Sequence, residues 1–541
     1  MNRRYVLTAA GLLLGSVVLA GCTVAATAPV TDDTTIAAEV EVEVNATLTA
    51  ADVLAANEDY TTVNDDEWSL DDATSIDLSA ESGTVTITEA GTYVLSGDLD
   101  GQVVVAAPDD ALVALVLDGV DISSSSGPAI SIESADDVVV SLSGDNSLSD
   151  ADSYADDADA NAALFSEADL TITGDGSLTV TGNGNDGITS EDDLVVLSGT
   201  ITVTAADDGL RGKDSLVIEG GDLTVTAGGD GLTSDNDEDT TRGYILLSGG
   251  SVEVTAGDDG LAAVTDLVTT GGTLEVQATS TGLKADAYLV LEGSDVVVAA
   301  GDDAINSTGA VHVNLGTVVL AASDDGIHAD VALFVDGGDL TVTDSYEGLE
   351  SAAITITGGT VELTASDDGI NASSGTSGGQ GDMGDDGSLI TITGGSITIN
   401  SGGDGFDSNG SAVISGGTLI VNGPTNDGNG ALDVNGTLTV DGGTVLAIGS
   451  AGMAVSPGAG AAQWISATVS GIAGDQVTIT DSTGAVVYQF TAAKQFASVV
   501  YSGPELSDGA SYTVTTGSGS ATVTEGTASA GGGMGGGGGR P

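Results

Sequence analysis

The chain has 541 residues, of which 82 are acidic and 8 are basic, giving a formal net charge of -74. This charge excludes nucleic acid as a partner, because phosphate groups are bound by clustered lysine and arginine. A hydrophobic fraction of 40% excludes a disordered polyelectrolyte, since such chains have too little apolar surface to form a core. Aromatic residues at 3% and a single cysteine predict a fold of small aliphatic side chains without an internal disulfide.

The N-terminus carries a targeting signal. An apolar run over residues 6–20 has the length of a signal peptide and is too short to span a membrane. The run ends in Leu19-Ala20-Gly21-Cys22, which resembles the bacterial lipobox, where cleavage leaves a lipidated cysteine at the N-terminus. We predict a lipoprotein signal peptide over residues 1–21, lipidation of Cys22 and export to the cell surface, where only the lipid contacts the membrane. The alternative is an ordinary secretory signal with an incidental cysteine.

A corner formed by an acidic residue, a glycine and an apolar residue recurs through the middle of the chain. Asp186-Gly187-Ile188 and Asp208-Gly209-Leu210 are 22 residues apart, and the pattern continues, with few departures, to Asp404-Gly405-Phe406. Two longer intervals indicate insertions, near residues 235–242 and 373–387. A nearly constant period of this length is typical of a solenoid.

Each interval between corners contains short strands and no helical pattern. In the rung that begins at Asp208, Leu216 and Ile218 form one apolar alternation, and Leu223 and Val225 form the next. This pattern predicts an all-β fold, a parallel β-helix with about 22 residues per rung, each rung pairing with the next. The predicted segments are a signal peptide at 1–21, a flexible tether at 22–66, the β-helix at 67–463, a small C-terminal β cap at 464–528 and a Gly-rich tail at 529–541.

Equivalent corner residues of a β-helix lie above one another, so the recurring aspartates form ladders. Like charges about 4.8 Å apart repel by about 3.5 kcal/mol at an effective dielectric constant of about 20. Calcium would offset this repulsion, since it binds carboxylate and carbonyl oxygens in flexible geometry. For any single aspartate, a role in the turn is the simpler interpretation. For the group we predict at least one calcium site, drawn from Asp186, Asp192, Asp193, Asp207, Asp208, Asp214, Asp230, Asp235, Asp258 and Asp259.

The rare cations lie beside these corners, at Arg211, Lys213, Arg242 and Lys284. They indicate internal counter-ions that replace a metal at some rungs. An alternative is catalytic: Arg211 or Lys213, next to calcium, would deprotonate a uronic acid, as a polysaccharide lyase requires. The two histidines, His312 and His328, occupy different positions in their rungs, so we expect no shared histidine site.

The central block resembles a known family. The runs Leu170-Thr-Ile-Thr-Gly-Asp-Gly, Asn185-Asp-Gly-Ile-Thr-Ser-Glu-Asp-Asp and Asp207-Asp-Gly-Leu-Arg-Gly-Lys-Asp resemble the bacterial carbohydrate-binding domain-containing proteins, which are similar in shape to pectate lyases. The resemblance implies a right-handed parallel β-helix, bound calcium and binding of a cellulose-like or acidic polysaccharide without established catalysis. By this resemblance, the calcium-binding acids of the family correspond to the matching corners from Asp186 to Asp259. The corner Asp303-Ala304 departs from the family pattern, so the resemblance implies no calcium ligand there.

The leading hypothesis is therefore a monomeric, calcium-dependent polysaccharide-binding lipoprotein without catalytic activity. Tyr244, Tyr288 and Tyr346 are the candidates for stacking against sugar rings. Two alternatives stay open at this point, a calcium-dependent uronate lyase and a passive acidic surface or adhesion rod. The sequence does not identify the sugar.

Overall fold

A computed structural model describes residues 42, 44–45, 47–155, 158, 160–374 and 384–528. Within these residues the chain winds into an all-β parallel solenoid of about 16 turns with about 22 residues per turn, which confirms the predicted fold class. The predicted signal peptide, Cys22 and the Gly-rich tail lie outside the described residues. No helix in the described part of the chain is long and apolar enough to cross a membrane.

One turn of the solenoid runs through three strands, which we call the corner strand, the covered strand and the threonine strand. Each of them pairs in parallel with its equivalent in the next turn, so the shaft has three stacks. In the rung after Asp208 the three strands are Leu210–Gly212, Ser215–Ile218 and Asp222–Ala227. Longer strands bend from one stack into another, and these are Gly91–Ala106, Leu112–Ser123, Tyr288–Ala300 and Ala310–Ala321.

The other strands belong to single stacks. The corner stack contains Gly83–Ile87, Ile130–Ser134, Ala162–Ser166, Asp186–Ser190, Leu232–Ser234, Leu261–Ala263, Leu283–Ala285, Ile305–Ser307, Ile327–Ala329, Leu349–Ser351, Ile370–Ala372, Phe406–Ser408 and Leu432–Val434. The covered stack contains Thr74–Asp77, Asp137–Ser143, Asp169–Gly174, Asp193–Val196, Tyr244–Leu247, Asp266–Thr269, Ala332–Val335, Ala353–Ile356, Leu389–Ile392, Ser411–Ile414 and Leu438–Val440. The threonine stack contains Asp145–Ser149, Ser177–Gly182, Thr200–Ala205, Ser251–Ala256, Thr273–Ala278, Asp339–Asp344, Thr360–Ala365, Ser396–Ser401, Thr418–Asn422 and Thr444–Gly449.

The core is built by in-register stacking of small aliphatic side chains. Leu223 pairs with Val252, which pairs with Leu274, and all three side chains are buried. Glycine at the corner is required by this close packing, since a Cβ atom on Gly209 would overlap Val225 and the carbonyl oxygen of Gly231. The recurrence of glycine thus follows from the distance between rungs.

The C-terminal end of the shaft is closed by antiparallel strands. Phe496–Ser502 pairs antiparallel with the last threonine strand, Thr444–Gly449, and with Trp464–Gly471. A separate antiparallel sheet follows, with four strands, Gln476–Asp481, Val486–Thr491, Ser511–Thr515 and Ser520–Thr524. The small β cap therefore protects the terminal edge of the parallel stacks.

The described part of the predicted tether lies along the solenoid instead of hanging free. We call residues 47–66 the strap; it contains the α-helix Ala50–Leu54, whose N-cap is Thr49, and a 3₁₀ helix at Leu78–Ala80 follows it. Asn314 donates to the carbonyl of Leu48 at 3.2 Å. Near the other end of the strap, the Val63 amide donates to Thr171 Oγ1 at 3.0 Å. The strap thus crosses many rungs lengthwise, which corrects the expectation of a flexible tether for this segment.

The strap docks because the covered strands are apolar on both faces. Val195, Val217, Val268 and Val290 occupy the middle positions of these strands and point away from the core, yet they are fully buried. They pack in one cluster with Val53 of the strap helix. Burial of such side chains favours docking of the strap by about 1.5–3 kcal/mol each, and the hydrogen bonds at Leu48 and Val63 add to it.

Candidate functional site

The corner aspartates form the ladder that the sequence predicts, and each carboxylate closes the turn of the next rung. The amide of Asp208 donates to Asp186 Oδ1 at 3.2 Å, the amide of Asp230 to Asp208 Oδ1 at 2.8 Å, and the amide of Asp259 to Asp230 Oδ1 at 2.9 Å. The next corner, Thr281, donates to Asp259 Oδ1 at 3.0 Å. The recurrence of aspartate therefore has a structural cause, hydrogen bonding between rungs.

We call this set the acidic ladder; its corner residues are Asp186, Asp208, Asp230, Asp259, Asp303, Asp325, Glu347, Asp368 and Asp404. Burial, followed by the neighbouring acids, raises the pKa of Asp208 to about 7. Burial likewise raises the pKa of Asp186 to about 6. Asp207 and Asp258, which precede ladder residues, are exposed to solvent. Their charges still act on the ladder, since in addition to burial Asp207 raises the pKa of Asp186 and Asp208, and Asp258 raises the pKa of Asp230.

A second column of side chains stands three residues after the ladder, and in the central rungs it carries cations. Arg211 contacts Glu191 Oε1 through Nη1 at 2.7 Å and Asp235 Oδ1 through Nε at 3.0 Å. Lys284 Nζ lies 2.7 Å from Asp259 Oδ2. Lys284 is thus a counter-ion of the ladder residue Asp259, whereas Arg211 pairs with two acids that flank the ladder.

The same contacts bear on the catalytic alternative. Burial alone would lower the pKa of Arg211, but Asp235 and Glu191 outweigh it and raise that pKa above its usual value. Both sides of the guanidinium group are occupied, so it has no free lone pair or position to accept a proton from a substrate. Lys213 Nζ lies 3.4 Å from Glu191 Oε2 in the same network.

Three of the predicted metal ligands gather at a different corner, where the covered strands begin. The strap-side cluster consists of Asp169, Asp192, Asp193 and Asp214, with Arg242 beside it. Carboxylate oxygens of Asp169, Asp192 and Asp193 all lie within 4.8 Å of one another. Arg242 Nη1 contacts Asp214 closely and lies 3.4 Å from Asp192 Oδ1. Arg242 Nε also lies 3.2 Å from Glu58 Oε2 of the strap, so one guanidinium group is shared between the cluster and the strap.

The electrostatics of this cluster favour an additional cation. Burial, followed by the neighbouring carboxylates of Asp169 and Asp214, raises the pKa of Asp192 to about 7. Burial and then Asp193 raise the pKa of Asp169 to about 6. The strap contributes the amide of Thr61, which donates to Asp193 Oδ2 at 2.8 Å. The cluster has more negative charge than Arg242 can balance, and carboxylate oxygens are ligands that calcium prefers. The residues present therefore fit this ion.

The ten predicted ligands therefore do not converge on one site. Four are ladder residues, three belong to the strap-side cluster, two are exposed, and Asp235 pairs with Arg211. The sequence could not separate them, because acids at two different corners of one turn follow the same period.

Sequence reasoning missed a group of acids toward the C-terminal end of the shaft. The cation-free group consists of Glu347, Asp368, Asp404, Asp407 and Asp433, and no lysine or arginine of the described residues forms an ion pair with it. Burial, followed by the neighbouring carboxylates, raises the pKa of Asp407 to about 8. Burial also raises the pKa of Glu347 to about 8. The sequence does contain a signal for this group. Asp404 and Asp407 occupy the corner and column positions that Asp208 and Arg211 occupy in a central rung, so an acid stands where that rung has a cation.

The chain is similar to known proteins over most of the solenoid. The model of a family described as carbohydrate-binding domain-containing protein matches residues 81–326 and 318–483. The chain belongs to this family. A curated carbohydrate-binding domain-containing protein of Acetivibrio thermocellus is 36% identical over 135 residues, covering 24% of this chain and 47% of the relative. The chain thus spans about half the length of the curated relative it matches.

A solved structure is also similar to part of the chain. It is described as the polysaccharide lyase-like protein from C. thermocellum, in a gadolinium derivative. The identity is 32%, the match covers 44% of this chain and 95% of that chain, and the TM-score is 0.37. The family resemblance read from the central sequence block is confirmed by the family match.

This member of the carbohydrate-binding domain family leaves one long polar face open. The outward residues of the threonine stack, such as Thr202, Thr224 and Glu253, are exposed. They continue through Glu275 and Gln277 and present hydroxyl, carboxylate and carboxamide groups in register, and Val297 and Val319 interrupt the array in the next two rungs. Of the candidate aromatic residues, Tyr244 is buried and donates to the carbonyl of Glu58 at 3.1 Å, whereas Tyr346 is 48% exposed.

Proposed function

We propose that the protein is a non-catalytic, calcium-dependent polysaccharide-binding lipoprotein, held at the cell surface by Cys22. The observation that carries this proposal is the family match over most of the shaft, residues 81–483. The open threonine face supports it, because sugar hydroxyl groups pair with arrays of hydroxyl, carboxylate and carboxamide groups. The high negative charge favours either a neutral, cellulose-like glycan or an acidic glycan bridged by calcium.

The strap-side cluster is our choice for the calcium site of this function. Asp192, Asp193 and Asp214 are there, and Asp169 adds a fourth carboxylate. Bound calcium would compensate the charge that Arg242 leaves unbalanced. Because Thr61 contacts Asp193, a filled site would also fix the strap against the solenoid. The cation-free group offers further carboxylates for calcium.

Absence of catalysis is part of the proposal, and the state of Arg211 supports it. An elimination reaction needs a base whose lone pair reaches the substrate, and Arg211 is protonated and paired on both sides. Incubation with polygalacturonate in calcium should therefore give no increase in absorbance from unsaturated product. An increase that Arg211→Ala abolishes would contradict this part of the proposal.

Binding is tested by affinity electrophoresis through gels that contain cellulose derivatives, polygalacturonate or neutral glucans. We expect retardation by at least one glycan in calcium and its loss in chelator. Asp192→Asn with Asp193→Asn keeps the side-chain acceptors, removes two charges and should abolish the calcium effect. Asp258→Asn, an exposed acid outside the cluster, is the matched control. No retardation by any glycan in calcium would leave the chain as a passive surface rod and refute the proposal.

A further inference from the structure

A histidine on the corner stack has the surroundings of a metal ligand. His328 lies in the strand Ile327–Ala329 and pairs in register with Glu350 of the next rung. Its Nδ1 atom is 2.8 Å from Glu350 Oε2 and 3.3 Å from Asp325 Oδ2. The carboxyl groups of Asp325 and Glu350 also contact each other. Three donor atoms of different residues therefore meet at one point, within 4.8 Å of one another.

The 3.3 Å distance from His328 Nδ1 to Asp325 matches the edge of a metal coordination shell, whereas the 2.8 Å distance to Glu350 is that of a hydrogen bond and would lengthen when a metal ion binds. Zinc bonds to imidazole nitrogen and carboxylate oxygen of about 2.0–2.1 Å place tetrahedral ligands about 3.3 Å apart. A proton on Nδ1 makes one strong hydrogen bond, so it cannot serve two carboxylates that also repel each other. A divalent cation at the same point would satisfy all three groups at once.

The other ring nitrogen has the partner that a metal-bound histidine requires. His328 Nε2 lies 3.1 Å from Asp330 Oδ1, on the side of the ring away from Glu350 and Asp325. Metal-ligating histidines almost always donate their second ring N–H to a carboxylate or carbonyl, which fixes the ring orientation. Asp330 is therefore a positioning residue, placed two residues after the histidine by the end of the corner strand.

The chemistry of the donors selects the class of metal. Calcium prefers about six to eight oxygen ligands and seldom takes imidazole, whereas zinc, cobalt and related ions accept nitrogen with few carboxylates. His328, Asp330 and Glu350 also line a cavity of about 360 Å³, together with Ser351 and Ser374. The shell thus has room for water or an oxygen of a bound molecule as the remaining ligand.

We propose that His328, Asp325 and Glu350 bind one divalent transition-metal ion of the zinc class, with Asp330 orienting the imidazole. This site is separate from the calcium function, since it uses a different donor set and lies on a different stack from the strap-side cluster. It needs no substrate and is tested on the full chain.

The experiment uses cobalt as a spectroscopic probe in untagged, chelator-treated protein. We expect one equivalent of Co²⁺ to give the intense visible absorption of a low-coordinate site, and Zn²⁺ to displace it. His328→Asn should abolish the band and keep the fold, because asparagine occupies the same column position at Asn306 and Asn371. Asp330→Asn should weaken binding by about 10–100-fold. Asp339→Asn, an exposed acid of the threonine stack, should bind like the parent chain.

Imidazole NMR gives a readout that does not depend on colour. The chain has two histidines, so protein labelled at histidine ¹⁵N should show two ring systems, of which zinc shifts one. Retention of the Co²⁺ band in excess calcium is expected. The proposal would be overturned by equal cobalt binding in His328→Asn, by displacement of cobalt by calcium, or by unchanged ring signals of His328 throughout a zinc titration.

Discussion

Two regions of the same acidic ladder balance their charge in different ways. In the central rungs, residues 186–284, four cations are placed among the acids, and Arg211 alone contacts two carboxylates. In the cation-free group, residues 347–433, the carboxylates face one another, and the pKa of Asp407 is raised to about 8. The same type of turn thus accommodates stacked acids either beside built-in counter-ions or with carboxyl pKa values raised by burial and by neighbouring acids.

The largest expected effect is the removal of a built-in counter-ion. Arg211→Met leaves Asp235 without its partner and Glu191 with Lys213 alone, in a site where the arginine side chain is only 18% exposed. We expect the free energy of unfolding to fall by about 2–3 kcal/mol, somewhat less than for a fully buried pair. Chemical denaturation measures this, and hydrogen exchange should show faster exchange near residues 186–235.

Arg211→Lys is the matched control for that change. It keeps one positive charge but cannot span Glu191 and Asp235 together, so an intermediate loss is expected. Equal stability of Arg211→Met and the parent chain would mean that the acids of the central rungs do not need Arg211 as a counter-ion. The presence of cations in one region and their absence from the other would then make no difference to the free energy of unfolding.

The cation-free group should show the opposite dependence on charge. In chelator its folded carboxyl groups hold protons that the unfolded chain releases at lower pH, because the pKa values of Asp407 and Glu347 are raised to about 8. The stability contributed by these groups is present below the ordinary carboxyl pKa and is lost as pH rises toward about 8. Thermal unfolding in chelator should therefore show a Tm that falls from about pH 5 to pH 8, and calcium should restore it.

Asp407→Asn tests whether this group is the source of the pH dependence. At neutral pH the folded chain holds a proton on Asp407 that the unfolded chain does not, and Asp407→Asn removes the cost of this protonation. It should therefore raise the free energy of unfolding in chelator by about 1–2 kcal/mol and flatten the pH profile. The stabilisation by calcium should become smaller in the same variant. Asp339→Asn, an exposed acid outside the group, should leave both profiles unchanged. An unaltered pH profile in Asp407→Asn would assign the effect to other acids.

A smaller effect separates the hydrogen bond of a ladder aspartate from its charge. Asp208→Ala removes the acceptor of the Asp230 amide, which is expected to cost about 1 kcal/mol. Asp208→Asn keeps an acceptor and removes the charge, so in chelator it should be as stable as the parent chain or more stable. Denaturation of the two variants side by side measures the difference. Equal losses in both would show that the negative charge itself, and not the turn, is what the corner requires.

The sequence predicts the solenoid well because one spacing controls it. Corner glycines recur wherever rungs approach too closely for a Cβ atom, as at Gly209, and the period is therefore visible without a structure. The strap was missed because its own residues carry no period. The signal lay in its partners, since Val195 and Val217 make the covered strands apolar at consecutive positions, a pattern typical of sheets buried on both faces.

The site was predicted less well, for a geometric reason. Acids at different corners share the 22-residue period, so Asp186 and Asp192 look alike in sequence although they belong to different clusters. For His328, the informative comparison was with Glu350, its partner in the next rung, and not with the other histidine. Pairing between rungs, which only the register of the strands establishes, decides which side chains meet.

His312 provides the last and smallest test, and it concerns the covered stack. Its ring stacks on Phe334 with centroids 4.5 Å apart, and neither ring nitrogen has a hydrogen-bond partner among the described residues. Valine occupies the equivalent position of the preceding rung, Val290. His312→Val should therefore raise the free energy of unfolding by about 0.5–1 kcal/mol at neutral pH, because a buried polar group without a partner is removed.

The pH dependence of that gain identifies its cause. Burial lowers the pKa of His312 to about 4, so between that value and the ordinary histidine pKa the unfolded chain binds a proton that the folded chain does not. The parent chain therefore loses stability from this group as pH falls below about 6.5, and the advantage of His312→Val should grow over the same interval. Denaturation of both proteins at several pH values isolates the contribution of His312 to the free energy of unfolding, since the acidic residues contribute equally in the two proteins. A constant difference would mean that the pKa of His312 is the same in the folded and unfolded chains, so that the covered stack does not exclude the proton.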